Sequence, residues 1–168
     1  MGKLPREGRC EVVAGATPEQ IWAVVADPTR LGEWSHETSA GVWMDGASSA
    51  VPGARYRARN RVNRSKWSRV CEVVAADAPY ELVWRTVPSP IYRDSTEWRI
   101  RLEPVADGTR VVQTFTVLKI HPFFDWLFYT LIPPHRDRSA ALLRDMQRLG
   151  EVAATTAPSR GGSAMDGR

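Results

Sequence analysis

The stretch from Gly53 to Asn60 reads Gly53-Ala54-Arg55-Tyr56-Arg57-Ala58-Arg59-Asn60. From Arg55 to Arg61 every odd position is arginine, while the even positions carry a phenol, a methyl group and an amide. Because successive side chains of a β-strand point to opposite faces, this pattern predicts a strand with one cationic face in water. The other face fits the wall of a cavity better than a close-packed core.

Turn residues divide the middle of the chain into further strands. The turn signals are Asp45-Gly46, Pro52-Gly53, Asp77-Ala78-Pro79 and Asp107-Gly108, at spacings typical of antiparallel meanders. Together with a first strand over residues 9–15, they predict strands over residues 38–44, 55–63, 67–76, 81–87, 95–104 and 109–120. Between residues 96 and 103 apolar and charged residues alternate strictly apart from Thr96, which predicts a sheet covered on one side only.

Helical signals flank these strands. Thr17-Pro18-Glu19-Gln20 supplies an N-cap and a proline at the first helical position, so a short helix begins there and ends at Asp27-Pro28. A second short turn contains Leu31 and Trp34. A long amphipathic segment runs from about His135 to Ala154. We predict that this last helix covers the apolar face of the sheet.

The order of these elements is that of the α+β helix-grip fold, and shorter motifs agree with it. Trp34-Ser35-His36-Glu37, Trp43 with Gly46, the Gly53–Asn60 stretch, and Trp67 with Ser68 resemble a polyketide-cyclase-like actinobacterial branch of the START-like, or SRPBCC, superfamily. The resemblance covers about residues 9 to 154. It implies a curved seven-stranded antiparallel sheet wrapped around a long C-terminal helix, with two short helices between the first and second strands. Two positions depart from these relatives, which tend to have proline at His36 and glycine at Ala58.

Length and composition predict one domain. The 168 residues are 43% hydrophobic and 25% charged, which is ordinary for a globular protein. We expect an N-terminal arm over residues 1–8, a single helix-grip domain over residues 9–155, and a disordered C-terminal tail over residues 156–168 that is rich in Pro, Ser, Gly and Arg.

Several classes of function are disfavoured. The net charge of +4 is spread over the chain without a dense basic block, so nucleic acid is not an expected partner. The two cysteines, Cys10 and Cys71, have no metal-ligand spacing, and no motif for a cofactor or metal is present. The first residues lack the apolar run of a secretory signal, which favours the cytoplasm.

The resemblance implies an apolar ligand held between the sheet and the long helix. Our leading hypothesis is therefore the binding of a lipid-, isoprenoid- or polyketide-like molecule. The candidate ligand-binding residues are aromatic or carry a buried hydrogen-bonding group: Trp34, Tyr56, Asn60, Trp84, Trp98 and Gln113. The alternatives are structural, since tryptophans often pack cores and buried amides often hold neighbouring backbone.

A second hypothesis is an enzyme of the polyketide cyclase, aromatase or dehydratase type. His36 and Glu37 are weak catalytic candidates because they precede the second strand, near the expected cavity mouth. A surface loop also supplies such residues without any catalytic role. The enzyme hypothesis requires at least two titratable groups to converge in the cavity, and Glu72 is a third candidate.

The apolar stretch from Phe123 to Ile132 supports two interpretations. It is shorter than the ~20 residues that span a bilayer, and Asp125 interrupts it. It is either a flap or recruiting surface with weak membrane or partner contact, or a buried helical turn or dimer contact. The sequence leaves both monomer and homodimer open.

Overall fold

The computed structural model describes residues 3–131 and 137–156, except for the side chains of Phe124 and Phe128. In these ranges the chain forms seven strands: β1 (Glu7–Ala14), β2 (Thr38–Trp43), β3 (Arg55–Val62), β4 (Ser65–Asp77), β5 (Glu81–Thr86), β6 (Ser95–Val105) and β7 (Gly108–Lys119). The α-helices are α1 (Pro18–Val25), α2 (Leu31–Trp34), α3 (Pro122–Leu131) and α4 (Ser139–Ala154). A single 3₁₀ turn, Pro28–Arg30, joins α1 to α2.

The seven strands form one antiparallel sheet in the order β1-β7-β6-β5-β4-β3-β2. The pairing register shifts at three places, in β2 between Thr38 and Ala40, in β4 between Val73 and Ala75, and in β6 between Ser95 and Thr96. Such bulges bend a strand and increase its twist. The sheet therefore curves around α4, and the predicted α+β helix-grip fold is confirmed.

Strand β3 has the two faces that its alternation predicts. The arginines at positions 55, 57, 59 and 61 are exposed, whereas Tyr56 and Ala58 are buried. On the outer face Glu72 of β4 binds the guanidinium groups of Arg55 and Arg85 at 2.9 and 2.8 Å. Glu72 therefore lies away from the interior, and its candidacy for chemistry in the cavity is wrong, because Cys71 and Val73 take the two inward positions on either side of it.

Helix α4 lies across the concave face, against β1, α1, α2 and β7. The core between these elements is formed by fully buried aliphatic side chains and one methionine, namely Ile21, Val24, Ile100, Val111, Met146 and Leu149. Helix α1 begins with the predicted cap, in which Thr17 and Gln20 each bond the other's backbone N–H. Helix α4 begins at Ser139 and not at His135, which lies outside the described residues, as does the predicted tail beyond residue 156.

The apolar stretch after the sheet forms α3, which crosses near the N-terminal segment. Phe123, Trp126 and Leu131 are 55%, 44% and 67% exposed, so the interpretation as a buried turn is wrong for these side chains. Among the described side chains of α3 only Asp125 is deeply buried, where its carboxylate accepts the Leu4 backbone N–H at 3.0 Å and pairs with Arg6 at 2.7 Å. Membrane contact through α3 stays a prediction. No helix in the described parts of the chain is long and apolar enough to cross a bilayer.

Candidate functional site

A cavity of about 390 Å³ lies between the inner face of the sheet and α4. The inward-facing residues of β3 to β7 form its walls, and Leu142 and Asp145 of α4 close one side. Of the nine candidate residues from the sequence, all except Glu72 line it: Trp34, His36, Glu37, Tyr56, Asn60, Trp84, Trp98 and Gln113. The structure thus brings them together, while their contact with a ligand stays a prediction.

Aromatic rings form one wall of the cavity. Trp84 and Trp98 are directly opposite each other on β5 and β6, with ring planes 12° apart and centroids separated by 6.5 Å. Trp98 also contacts Phe115 of β7, at 5.2 Å between centroids. Both tryptophans are only partly buried although they lie on the inner face, which is what an open cavity beside them produces. Flat rings of this kind offer a large apolar contact area to a planar ligand.

Tyr56 and Cys71 form a buried pair on the floor formed by β3 and β4. Burial raises the pKa of the Tyr56 phenol well above its ordinary value, and raises the pKa of the Cys71 thiol to about 11. The two residues are directly opposite each other on β3 and β4, so the Cys71 thiol is the nearest protein group to the phenol that affects its pKa. Because the thiol stays protonated near neutral pH, it is a poor nucleophile.

Two amides present unpaired donors to the cavity. The Asn60 oxygen Oδ1 accepts the Thr38 hydroxyl at 2.9 Å, and the Gln113 oxygen Oε1 accepts the Cys10 thiol at 3.9 Å. Neither amide nitrogen has a hydrogen-bond partner among the described residues. Gln113 is only 4% exposed as a residue, but its amide nitrogen is not sealed off as the Trp34 indole nitrogen is, so it is accessible from the cavity. Both nitrogens are therefore suited to an acceptor atom of a ligand.

His36 lies at the cavity wall, where it is clamped by a residue that the sequence did not single out. Asp145 of α4 accepts the His36 backbone N–H at 2.9 Å with Oδ1 and contacts the ring nitrogen Nδ1 at 2.7 Å with Oδ2. The hydrogen bond to Asp145 raises the pKa of the His36 imidazole, and partial burial opposes this effect. The sequence contains a signal for Asp145, because it stands three residues after Leu142 and four before Leu149, within the apolar stripe of α4.

A second ion pair, which is partly buried, lies elsewhere in the cavity wall. Arg69 donates to the Asp94 carboxylate at 2.8 Å and to its backbone oxygen at 3.0 Å, and its guanidinium stands 5.1 Å from the centre of the Tyr92 ring. Sequence reasoning missed this pair, although alternation along β4 places Arg69 on the same face as Cys71. Because the two opposite charges cancel, the pair adds no net charge to the cavity and mainly affects the shape of its wall.

Trp34 is a core residue with an unpaired polar atom. It is 4% exposed, and its indole Nε1 is buried without a hydrogen-bond partner in the described residues. Among those residues no cluster of three His, Cys, Asp or Glu side chains is arranged to hold a metal ion. The groups that line the cavity include amides, aromatic rings, the phenols of Tyr56 and Tyr92, the Glu37 carboxylate, and the Arg69–Asp94 and His36–Asp145 pairs.

Comparisons with known proteins agree with this architecture. A family model described as polyketide cyclase/dehydrase and lipid transport matches residues 9–151. The crystal structure of TTHA0849 from Thermus thermophilus has a TM-score of 0.66 at 20% identity, covering 89% of this chain and 99% of that one. The solution structure of the Polyketide_cyc-like protein Cgl2372 from Corynebacterium glutamicum has a TM-score of 0.58 at 22% identity, covering 92% and 96%.

A third similar structure is DynU16, a protein in the dynemicin biosynthetic locus. Its TM-score is 0.60 at 17% identity, and the match covers 94% of this chain and 50% of that one. At these identities the likeness to the three structures concerns the fold alone. No curated protein matches the chain significantly.

Proposed function

Since the chain belongs to the polyketide cyclase/dehydrase and lipid transport family, we propose that it binds a hydrophobic small molecule in the cavity between the sheet and α4. The observation that carries the proposal is the cavity itself. Its volume of about 390 Å³ falls within the range of roughly 300–1,000 Å³ of small-molecule sites, and its wall combines aromatic rings with a few polar groups. A solid core of this size would leave no such space.

Apolar burial supplies the driving force for binding. A ligand that buries about 300 Å² of apolar surface gains roughly 7 kcal/mol at 25 cal/mol per Å², before the costs of immobilisation and desolvation. The tryptophan wall favours planar or polycyclic bodies over flexible chains, since flat rings contact Trp84 and Trp98 with little loss of conformational freedom.

Hydrogen bonding supplies the orientation. The unpaired nitrogens of Asn60 and Gln113 are donors, whereas the amide oxygens of both residues are already engaged. A ligand with carbonyl oxygens satisfies these donors, and one with only hydroxyl or amine donors cannot do so as well. Glu37, which also lines the cavity, adds a carboxylate acceptor to these two donors.

Thermal-shift and tryptophan-fluorescence titrations with fatty acids, isoprenoid quinones and aromatic polyketides test the proposal. We expect at least one class to raise the melting temperature and to change the emission of the cavity tryptophans. Ala58→Leu, which adds a branched side chain to the cavity wall, should abolish both effects. Arg59→Leu, one position along β3 on the outer face, is the matched control and should leave them intact. Equal responses of both variants, or no response to any class, would contradict the proposal.

A further inference from the structure

The Asp145 carboxylate is buried within the apolar stripe of α4, and both of its hydrogen bonds are to one residue. Its side chain is 8% exposed, and both of its oxygens bind His36, one at the backbone N–H and one at Nδ1. Burying a carboxylate is costly unless its oxygens are satisfied. A hydrocarbon side chain at this position would pack α4 without that cost. The carboxylate therefore points to a requirement for a fixed imidazole at position 36.

The clamp determines which atom of His36 is available. Because Asp145 accepts a hydrogen bond from Nδ1–H, the neutral imidazole carries its lone pair on Nε2. The imidazole side chain is 40% exposed and lines the cavity, so it is accessible to a small molecule. Three charged groups act on it: Asp145 from α4, the adjacent Glu37, and Arg138 just before α4. The two carboxylates favour the imidazolium form and Arg138 opposes it.

One of the two unpaired amide donors lies close to His36 along the cavity wall. Asn60 lies opposite Thr38, two residues after His36, and the Arg61 backbone N–H binds the Glu37 carbonyl at 2.8 Å. Gln113 lies on β7, which three strands separate from β3, so it lines another part of the cavity wall. A proton acceptor, His36, and a neutral N–H donor, Asn60, thus lie on neighbouring segments of the cavity wall, and this combination stabilises an oxyanion that forms as a C–H proton leaves.

We propose that His36 is the catalytic acid–base residue of a keto–enol proton transfer on a carbonyl compound bound in this cavity, with Asp145 as its positioning residue. The proposal rests on the proposed ligand-binding function. Nε2 removes a proton from the carbon next to the carbonyl group, and the C–H electron pair forms the new C=C bond. The carbonyl π pair moves to oxygen, where the Asn60 amide donates to it. The imidazolium then returns the proton to oxygen or carbon, so no co-reactant is consumed.

Deuterium exchange into the bicyclic ketone α-tetralone tests the proposal. The protein is incubated with the ketone in D₂O, and the loss of the C2 proton signal is followed by ¹H NMR. We expect the wild type to accelerate exchange, with a rate that rises with pH as His36 loses its proton. His36→Gln should reduce the acceleration at least ~100-fold, the lower end of the contribution of a general base. Glu103→Gln on the outer face is the control and should behave as wild type.

Two further variants separate catalysis from a structural tie between α2 and α4. Asp145→Asn should lower the rate and move the midpoint of its pH profile downward, because the imidazole loses the carboxylate that raises its pKa. A merely structural clamp would change the melting temperature without moving that midpoint. His36→Gly should regain exchange when free imidazole is added, whereas loss of folding would not be rescued.

Tryptophan fluorescence measured on the same samples reports binding independently. Wild-type binding without accelerated exchange overturns the catalytic proposal and leaves the proposed binding function intact. Equal exchange rates in the wild type and in folded His36→Gln also overturn it. Absence of binding by α-tetralone and by every class in the ligand panel overturns both proposals.

Discussion

At the scale of single residues, the His36–Asp145 pair makes stability depend on pH. The pKa of His36 is raised in the folded protein by its hydrogen bond to Asp145. The folded state therefore binds the proton more tightly than the unfolded state does, and stability falls as pH rises through the folded pKa. Below the ordinary value of about 6.5 the full contribution is present. Because the imidazole is 40% exposed, we expect its contribution to be no more than about 1 kcal/mol.

Urea denaturation of the wild type and His36→Gln between pH 5.5 and 9 measures this contribution. The difference in free energy of unfolding should be largest at the acidic end and shrink toward a constant value at the alkaline end. Asp145→Asn is the matched comparison. It removes the carboxylate that raises the pKa of His36, so the free energy of unfolding should depend less on pH in this variant. A difference that grows with pH would contradict the assignment of the shift to Asp145.

Alternation identifies which residues point inward, but not what they bind there. Tyr56, Asn60, Trp98 and Gln113 were predictable as cavity-facing because their strands have a strict period of two. The position of Asp145 within the apolar stripe of α4 indicates that it faces inward, but its partner His36 is 109 positions away in the chain and could not be identified from the sequence. Arg69 is a similar case. Its charge predicts an exposed side chain, and its pairing with Asp94 becomes apparent only in the folded structure. Sequence periodicity therefore predicts the direction in which a side chain points. It does not predict ion pairs in a cavity, because these join residues that are distant in the sequence.

At the scale of secondary-structure elements, Gly150 allows α4 to approach β1. A Cβ atom on Gly150 would stand 2.7 Å from the Ala14 Cβ, closer than carbon atoms tolerate. Gly150→Ala gains up to about 1 kcal/mol of helix propensity, but overpacking costs roughly 1–3 kcal/mol. We therefore expect net destabilisation of about 1 kcal/mol, measured by urea denaturation.

Gly15→Ala is the control for this substitution, because a Cβ at Gly15 meets no atom within 4 Å. It should be neutral or slightly stabilising, since it mainly restricts the unfolded chain. Adding Ala14→Gly to Gly150→Ala should cost less than the sum of the two single changes, because it removes the contact. Strict additivity would show that Ala14 is not the obstacle.

A second prediction at this scale concerns α3, which Asp125 ties to the N-terminal segment through Leu4 and Arg6. Asp125→Ala removes both contacts, so α3 and the residues before β1 should exchange their amide protons faster in hydrogen–deuterium exchange. Arg6 is half-exposed, so water can solvate its guanidinium group once the carboxylate is removed. The free energy of unfolding should therefore change by no more than about 1 kcal/mol. Glu103→Ala, which removes an exposed pair with Arg110, is the control. Unchanged exchange in α3 would mean that other contacts hold it.

Element boundaries followed closely from turn residues and caps, with observed strand ends within about two residues of those predicted. The prediction was poorest for α3. Its hydropathy gives no sign that Asp125 is the buried residue and Phe123 and Trp126 are exposed. That outcome depends on the Leu4 N–H and the Arg6 side chain, which arrive from 121 and 119 positions away. An amphipathic pattern predicts a helix better than it predicts what the helix packs against.

At the scale of the whole molecule, the fold encloses a space that its own side chains leave empty. The predicted membership in a polyketide-cyclase-like superfamily is confirmed by the family match, while the actinobacterial branch stays a prediction. A cavity of about 390 Å³ forfeits the dispersion contacts that a filled core would make. Natural proteins keep a destabilising feature of this kind where function requires it. Ligand-free stability and ligand affinity should therefore change in opposite directions when the cavity is filled.

Ala58→Leu tests this opposition directly. Three added carbon atoms entering open apolar space gain up to about 2 kcal/mol, at ~0.8 kcal/mol per buried CH₂, and should raise the melting temperature of the ligand-free protein by about 4 °C. In a close-packed core the same change would instead cost ~1–3 kcal/mol through overpacking. Differential scanning calorimetry of the ligand-free protein shows whether Ala58→Leu stabilises or destabilises the fold. A lower melting temperature would show that the side chains around Ala58 leave no room for a guest, and a higher one would identify the space that a ligand fills in the wild type.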